Sequence, residues 1–203
     1  MSVFVVTGTD TGIGKTVFSA ALAGALGATY FKPVQAGLDA PTDSEAVAQL
    51  SGCKTLPETY RLKLSASPDR AARAENIRLD PAALKLPDAR PLVVEGAGGL
   101  LVPLDGNTLY IDVFARWAAP LILCARTGLG TINHTLLSLE AIRTRRVPLL
   151  GVAFIGEAQA EAEDTICRIG AVKRLGRLGL VNPLTREGLA REFARGFNIA
   201  DFR

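Results

Sequence analysis

The residues with the clearest chemical potential follow the first apolar run of the chain. Residues 8–16 read Gly-Thr-Asp-Thr-Gly-Ile-Gly-Lys-Thr and lead into a helical pattern. A glycine-rich turn before a helix exposes backbone N–H groups at the positive end of that helix, where a polyphosphate binds. In such a loop Lys15 would reach the β- and γ-phosphates and Thr16 would bind Mg²⁺. Five residues separate Gly8 from Gly14, one more than in the general phosphate-loop pattern G-x-x-x-x-G-K-[ST]. The flanking strand and helix nevertheless favour a nucleotide site over a chance glycine-rich turn.

Three further charged residues stand where a magnesium–nucleotide site would need them. Lys32 closes the second apolar run, either as a solvated charge or as a group beside the phosphates. Glu95 closes the third run and precedes Gly96–Gly99, the layout of a strand-end carboxylate that helps to hold Mg²⁺. Asp43 either completes the metal shell or caps the following helix, and its spacing alone favours the cap.

A second candidate anion site follows the fourth apolar run. The segment Arg126–His134 contains two glycines and precedes a helix, with Thr131 as a candidate N-cap. Backbone N–H groups near Asn133 would be free to bind a carboxylate. The alternative is an ordinary glycine loop with His134 packed on the helix, and this segment alone favours that alternative.

Short apolar runs and helical stretches alternate along the chain and would position these residues. The helical stretches include 17–26, 132–143 and 189–197. Runs that are apolar on both faces indicate a parallel sheet covered by helices, whose carboxyl ends gather the ligand-binding residues. We therefore predict one α/β domain over residues 1–203. Residues 51–86 break the pattern and predict a long loop with short helices beside the site. The predicted strands are 3–6, 29–32, 91–95, 120–125, 148–155 and 174–181.

Composition narrows the chemistry further. The chain has 203 residues, 48% of them hydrophobic and 21% charged, which is enough to bury a core without disulfides. The single histidine, His134, would have to serve any Ser-His-Asp triad, and one histidine cannot build a multi-histidine metal site. Cys53, Cys124 and Cys167 show no CxxC spacing, so a reducing cytoplasm fits best.

The N-terminal apolar stretch is too short for a signal peptide, and no run approaches the roughly 20 apolar residues of a membrane span. We therefore expect a soluble, cytoplasmic protein that does not associate with membranes. Residues 168–203 contain eight basic and three acidic residues, so this stretch carries +5 while residues 1–167 carry −2. Its charges stand at helical spacing without interleaved aromatics, which favours a solvated helix face over a nucleic-acid surface, with a small anionic ligand as second choice.

Together these motifs resemble one family, the dethiobiotin synthetases of biotin biosynthesis, along nearly the whole chain. The order and approximate spacing of the motifs match, and the longer phosphate loop is normal in this family. The motifs are Gly8-Thr-Asp-Thr-x-x-Gly-Lys-Thr16, Lys32-Pro-Val34, Thr42-Asp-Ser44, Val94-Glu-Gly-Ala-Gly-Gly99 with Pro103-Leu104, and Gly130-x-Ile-Asn-His134.

The resemblance implies a homodimeric ligase that uses ATP and Mg²⁺ to close the ureido ring on 7,8-diaminopelargonic acid with CO₂. One amine would form a carbamate, its oxygen would attack the γ-phosphate, and the second amine would attack the mixed anhydride. These steps gather negative charge around a phosphoryl group, so cations and backbone donors suffice without a histidine base.

The resemblance also assigns roles to individual residues. It makes Lys32, Lys15 and Thr11 catalytic, and it makes Thr16, Asp43 and Glu95 the metal ligands. The substrate would be bound by Thr11, Lys32, Ala36, Gly130, Thr131 and Asn133. The Asn133 segment would bind the substrate carboxylate, and in this family the partner subunit contributes that segment. The nucleotide would be bound by Gly12, Ile13, Gly14, Lys15, Thr16, Val17, Asp43, Glu95, Gly96, Ala97, Gly98, Ile155, Gly156, Gly179, Leu180 and Val181.

Three positions depart from the family pattern. Ala36 stands where a Ser or Thr is usual, so one hydroxyl contact to the substrate is lost. Ile155 stands where some members carry an asparagine that reads the adenine edge, and Gly179 stands where proline is common. An aliphatic side chain cannot replace the paired donor and acceptor of an amide, so we predict relaxed nucleotide choice.

Two other functions share parts of this pattern. A nucleotide-switch ATPase would carry an additional lysine five residues before Lys15, but that position is Asp10. A small-molecule kinase would need a phosphate loop and an acceptor site, but no carboxylate site shared across a dimer.

Overall fold

The computed structural model describes residues 2–39 and 41–202. Among these residues, seven parallel strands form one sheet in the order β4-β2-β6-β1-β7-β8-β9, and β3 pairs with β5 in a separate two-stranded sheet. The elements are β1 (Val3–Gly8), α1 (Lys15–Leu26), β2 (Thr29–Phe31), β3 (Val34–Ala36), α2 (Asp43–Ser51), β4 (Thr55–Leu56), β5 (Tyr60–Leu62), α3 (Pro68–Ala74), a 3₁₀ turn (Pro81–Ala83), β6 (Leu92–Gly99), α4 (Tyr110–Trp117), β7 (Leu121–Arg126), α5 (Thr131–Thr144), β8 (Leu149–Ile155), α6 (Ala160–Ile169), β9 (Arg174–Leu178), α7 (Arg186–Gly196) and a second 3₁₀ turn (Ile199–Phe202).

The sheet is buried on both faces because helices cover each side. Successive residues of a strand point to opposite faces, and in β1 Phe4 and Val6 join one core while Val5 joins the other. Helices α1, α2 and α7 pack on the first face, whereas α4, α5 and α6 pack on the second. The predicted α/β class with a mostly parallel sheet is confirmed. None of the helices in the described ranges is long and apolar enough to cross a membrane.

All six predicted strands and the three predicted helical stretches occur, with shifted boundaries. Residues 51–86 do contain short helices, but the prediction of a loop between them missed two strands. β4 extends the main sheet beside β2, and β5 pairs with β3. These strands have two and three residues, too few to show a period in the sequence.

The basic C-terminal stretch is less uniform than the predicted solvated helix face. Arg174 and Arg177 lie in strand β9 and form ion pairs with Glu163 of α6, a carboxylate that is 1% exposed. Lys173 pairs with Asp201, and Arg195 pairs with the carboxylate of Glu192. Much of the positive charge is therefore neutralised within the fold.

Candidate active site

Six of the polar residues singled out by the motifs meet at the carboxyl ends of β1, β2 and β6; they are Thr11, Lys15, Thr16, Lys32, Asp43 and Glu95. They surround a cleft of about 430 Å³. A larger hollow of about 890 Å³ lies between α3 and the loop after β6, but the glycine loop, both lysines and two carboxylates converge on the smaller cleft. Its lining consists of Thr11, Gly12, Gly14, Lys15, Thr16, Lys32, Ala36, Asp43, Ser65, Ala66, Ser67, Glu95, Ala97, Gly98 and Val102.

The phosphate loop connects β1 to α1 and depends on glycine conformation. Gly12 and Gly14 have φ values of 71° and 94°, in the left-handed region that other residues avoid. Helix α1 begins at Lys15, and its cap, Gly14, has no side chain to bond the first N–H groups. These donors are the ones that the sequence predicts for phosphate binding.

Lys15 is buried beside this loop and is 6% exposed. Its Nζ donates a hydrogen bond to the backbone oxygen of Asp10 at 2.7 Å. Burial lowers the pKa of Lys15, and the positive charge of Lys32 lowers it further, while Glu95 opposes both effects. An anion in the cleft would restore a favourable environment for the charged ammonium.

Lys32 lies between two carboxylates at the end of β2. Its Nζ is 2.5 Å from Oδ2 of Asp43 and 3.1 Å from Oε1 of Glu95. Burial alone would lower the pKa of Lys32, but these two carboxylates outweigh burial and raise it. Burial would also raise the pKa of Asp43, but the charge and hydrogen bond of Lys32 outweigh it and lower the pKa. The lysine is therefore held as a cation and Asp43 as an anion.

Thr16, Asp43 and Glu95 place three oxygens together. The Oγ1 of Thr16 is 2.7 Å from Oδ1 of Asp43 and 3.0 Å from Oε1 of Glu95. Mg²⁺ prefers oxygen ligands and, in nucleotide sites, uses one or two carboxylates together with substrate phosphates. The donor set therefore fits Mg²⁺, as the sequence predicts.

The favoured interpretation of Asp43 as a helix cap is wrong. Thr42 caps α2, because its side chain accepts from the backbone N–H of Glu45 while the Glu45 carboxylate accepts from the N–H of Thr42. This reciprocal capping box frees Asp43, the first residue of α2, to turn its carboxylate into the cleft. The sequence signal was present, since a threonine followed three residues later by a glutamate is the pattern of that box.

The remaining residues predicted to bind nucleotide occupy several places. Ala97 and Gly98 line the cleft, whereas Gly96 lies beneath it, and a Cβ there would come within 2.7 Å of Phe114. Ile13 is buried and Val17 partly buried in the core, so both reach the site only through the backbone.

The predicted base-reading residues lie at the ends of β8 and β9, outside the cleft lining. Ile155 packs on the phosphate loop, since a Cβ on Gly14 would lie 2.8 Å from its Cγ2. Gly156 donates its N–H to Leu178, and Gly179 donates to Glu192 at 3.1 Å. Leu180 is 71% exposed and Val181 is partly buried.

The second candidate anion site is separate from this cleft. Gly130, with φ 89°, caps α5, so the prediction that Thr131 is the N-cap is wrong. A left-handed glycine takes that position, and the buried Thr131 instead places its hydroxyl 3.5 Å from that of Thr135. Asn133 is exposed, and none of these three predicted substrate residues is among the described residues that line the cleft. His134 borders another hollow of about 360 Å³, together with Asp10.

Sequence reasoning missed several residues of the site. Tyr30 donates its hydroxyl to Oε2 of Glu95 at 3.0 Å, and Gln35 accepts the backbone N–H of Asp43 at 3.2 Å. Ser65 and Ser67 also line the cleft. Tyrosine in an apolar run and serines in an irregular segment carry no pattern that marks them as site residues.

Comparison with known proteins gives relatives that align with nearly the whole of this sequence. The profile of a family described as an AAA domain matches residues 2–188. The ATP-dependent dethiobiotin synthetase of Rhodopseudomonas palustris strain BisB5 is 62% identical over 202 residues, covering 98% of this chain and 95% of that protein. The enzyme of the same name from Novosphingobium aromaticivorans is 58% identical over 205 residues, covering all of both chains.

Solved structures with the same fold are more distant. The septum site-determining protein MinD of Pyrococcus horikoshii, complexed with Mg-ADP, has a TM-score of 0.56 at 14% identity, covering 94% of this chain and 86% of that one. The cell division ATPase MinD of Pyrococcus furiosus has a TM-score of 0.53 at 14% identity, covering 96% and 98%. At this identity the likeness shows a shared fold and nothing about activity.

Proposed function

The chain belongs to the family of ATP-dependent dethiobiotin synthetases, and on this premise we propose how its cleft carries out the reaction. The activity is that of an ATP-dependent ligase in biotin biosynthesis. We assign the reaction to the cleft at the ends of β1, β2 and β6. The observation that carries this assignment is the convergence of Lys15 and Lys32 with the hydroxyl of Thr16 and the carboxylates of Asp43 and Glu95.

The phosphate loop would bind the triphosphate of ATP. The N–H groups at the start of α1 and the ammonium of Lys15 supply the positive charge, and Gly12 and Gly14 leave room for the phosphates. Thr16, Asp43 and Glu95 would hold Mg²⁺, which when bound neutralises charge on the β- and γ-phosphates.

The first chemical step would join CO₂ to one amine of 7,8-diaminopelargonic acid, releasing a proton and leaving a carbamate. We place this carbamate beside Lys32, whose cation is fixed by Asp43 and Glu95, with Thr11 at the cleft wall as a further polar contact. A carbamate oxygen then attacks the γ-phosphorus, and the bond to ADP breaks. Lys15 and Lys32 stabilise the charge that develops on the transferred group.

The second amine would close the ring by attacking the carbonyl carbon of the mixed anhydride. Its carbon–oxygen bond breaks, phosphate leaves with the former carbamate oxygen, and the amine loses its proton. Ala36 offers no hydroxyl to the substrate, whereas Ser65 and Ser67, which also line the cleft, each carry one.

A second copy of the chain would complete the substrate site. The start of α5, where the donors for the substrate carboxylate would lie, is not part of the described lining of the cleft in its own chain. Leu101, Leu129 and Leu137 near this helix start are 52%, 99% and 57% exposed. Burying these side chains in a homodimer is favourable and would bring the start of α5 to the cleft of the partner. A cytoplasmic location stays a prediction.

The test is to incubate the protein with the diamine, ¹³C-bicarbonate, Mg²⁺ and ATP and to analyse the products by mass. We expect a cyclic urea that carries one ¹³C, formed in equal amount with ADP and phosphate. Phosphate release that is indifferent to the diamine would instead indicate a switch ATPase, and a phosphorylated diamine would indicate a kinase. The position where a switch ATPase would have its additional lysine is held by Asp10, whose backbone oxygen contacts Lys15.

A further inference from the structure

Tyr30 is a polar residue in the core directly behind the proposed metal ligands. It lies in β2, where it pairs with Val93 of β6, the strand that carries Glu95. Its side chain is fully buried, and its hydroxyl donates to Oε2 of Glu95 at 3.0 Å. A buried hydroxyl is costly unless it is hydrogen-bonded, so this bond is the arrangement that makes a tyrosine acceptable at this position.

The two oxygens of Glu95 have different partners. Oε2 accepts from Tyr30, while Oε1 is 3.0 Å from Thr16 Oγ1 and 3.1 Å from Lys32 Nζ. A carboxylate held at one oxygen cannot turn freely about its terminal torsion. The bond from Tyr30 therefore fixes which oxygen of Glu95 faces the cleft and in which direction.

We propose that Tyr30 is a positioning residue, whose hydroxyl holds Glu95 so that Oε1 is presented to the Mg²⁺ of the bound nucleotide. Hydrogen bonds to metal-ligating groups orient them, and their loss typically costs ten- to a hundredfold in metal affinity or activity. The proposal rests on the role of Glu95 as a metal ligand under the proposed function.

A tyrosine hydroxyl is neutral near pH 7 and can donate one hydrogen bond. The fully buried ring of Tyr30 holds that donor 3.0 Å from Oε2 of Glu95.

Tyr110 provides a matched control. It is also fully buried, in α4, and its hydroxyl has no hydrogen-bond partner among the residues that the structure describes. Tyr110→Phe and Tyr30→Phe thus remove the same atom from equally buried rings, but only the second change removes a bond to Glu95.

The experiment measures binding of Mn²⁺, which prefers the same oxygen ligands as Mg²⁺, by electron paramagnetic resonance with a non-hydrolysable ATP analogue present. We expect Tyr30→Phe to raise the Mn²⁺ dissociation constant about tenfold and Tyr110→Phe to leave it unchanged. The Mg²⁺ concentration for half-maximal turnover should rise in parallel, and excess Mg²⁺ should restore the kcat of Tyr30→Phe. In a Glu95→Gln background, Tyr30→Phe should have no further effect, because the hydroxyl acts only through that carboxylate.

Wild-type Mn²⁺ affinity in Tyr30→Phe, or a loss of turnover that excess Mg²⁺ does not restore, would overturn the proposal. An equal weakening in Tyr110→Phe would also overturn it, because both changes would then act through packing. If Glu95→Gln itself binds Mn²⁺ like the wild type, the metal-ligand role under the proposed function is wrong, and the inference about Tyr30 fails with it. If Glu95→Gln loses Mn²⁺ but Tyr30→Phe does not, only the inference about Tyr30 fails.

Discussion

Lys32 shows how one residue is prepared for chemistry by its neighbours. A lysine that is 4% exposed would ordinarily lose its charge, but the carboxylates of Asp43 and Glu95 hold it as a cation. A fixed cation of this kind needs no reorganisation when a phosphoryl group acquires charge, and that is the condition for effective transition-state stabilisation.

Replacement of Lys32 should therefore affect turnover more than binding. We expect Lys32→Ala to leave the ATP dissociation constant largely intact while kcat falls by about a hundredfold or more, because the charge acts mainly in the transition state. Steady-state kinetics and equilibrium nucleotide binding measure the two effects, with the exposed Lys85→Ala as control. If a folded Lys32→Ala protein turns over at a near-normal rate, Lys32 has no part in the reaction and only forms structural ion pairs.

The pair of Lys32 and Asp43 also predicts how stability depends on pH. The pKa of Asp43 is lowered in the folded state, so its contribution is present above the ordinary carboxyl pKa of 3.8 and is lost as the pH falls through the lower folded value. Without metal or nucleotide, we expect Asp43→Asn to unfold more easily than the wild type at pH 7. The difference in free energy of unfolding should shrink below pH 3.8, as measured by urea titration. A difference that is constant across this range would show that the charge of Asp43 does not stabilise the fold.

Among the secondary-structure elements, those with a repeated hydrophobic pattern could be predicted from the sequence. Very short strands could not be predicted, and neither could roles that depend on a neighbouring or distant residue. The six apolar runs and the glycine turn before α1 follow from periodicity and local chemistry. Strands β4 and β5 were not predicted because they have too few residues to show a hydrophobic period. Asp43 was assigned to the wrong task because the capping role belongs to its neighbour Thr42, and Tyr30 was missed because its partner is 65 residues away.

We predict that the ends of β8 and β9 determine how strictly the protein selects its nucleotide. Ile155 presents an aliphatic side chain next to the phosphate loop, and Gly179 has no side chain with which to read a base. We expect kcat/KM for ATP, CTP and GTP to lie within about a hundredfold of one another, roughly 2.7 kcal/mol. Ile155→Asn should widen the preference, because an amide offers a paired donor and acceptor. A larger preference for ATP in the wild type would contradict this reading of the two strand ends.

At the scale of the whole molecule, the site proposed here is divided between two chains. The cleft supplies the phosphate loop, the lysines and the carboxylates, whereas the residues at the start of α5 are not among the described residues that line the cleft of their own chain. One sequence can reveal both halves through their glycine motifs. Only the resemblance to a family predicts that the two halves belong to different copies of the chain.

Mixed dimers test this division. Lys32→Ala would damage the cleft, and Asn133→Asp would place a negative charge where we propose that the substrate carboxylate binds. After equal mixing and subunit exchange, half of the dimers carry one of each variant and one intact site, so we expect about a quarter of wild-type activity by the site statistics of a closed dimer. Asn107→Asp, in an exposed loop, serves as the charge control. If the mixture is no more active than the separate variants, the carboxylate site is not shared between subunits.

We propose that ATP phosphorylates a carbamate in the cleft, and the transfer of an oxygen isotope to phosphate reports on that step. With ¹⁸O-bicarbonate, one carbamate oxygen attacks the γ-phosphorus and leaves with the phosphate when the ring closes. We expect each phosphate released with a cyclic urea to carry one ¹⁸O, measured by mass in a short reaction that limits exchange with water. Phosphate without ¹⁸O, formed at the same rate as the cyclic urea, would contradict it.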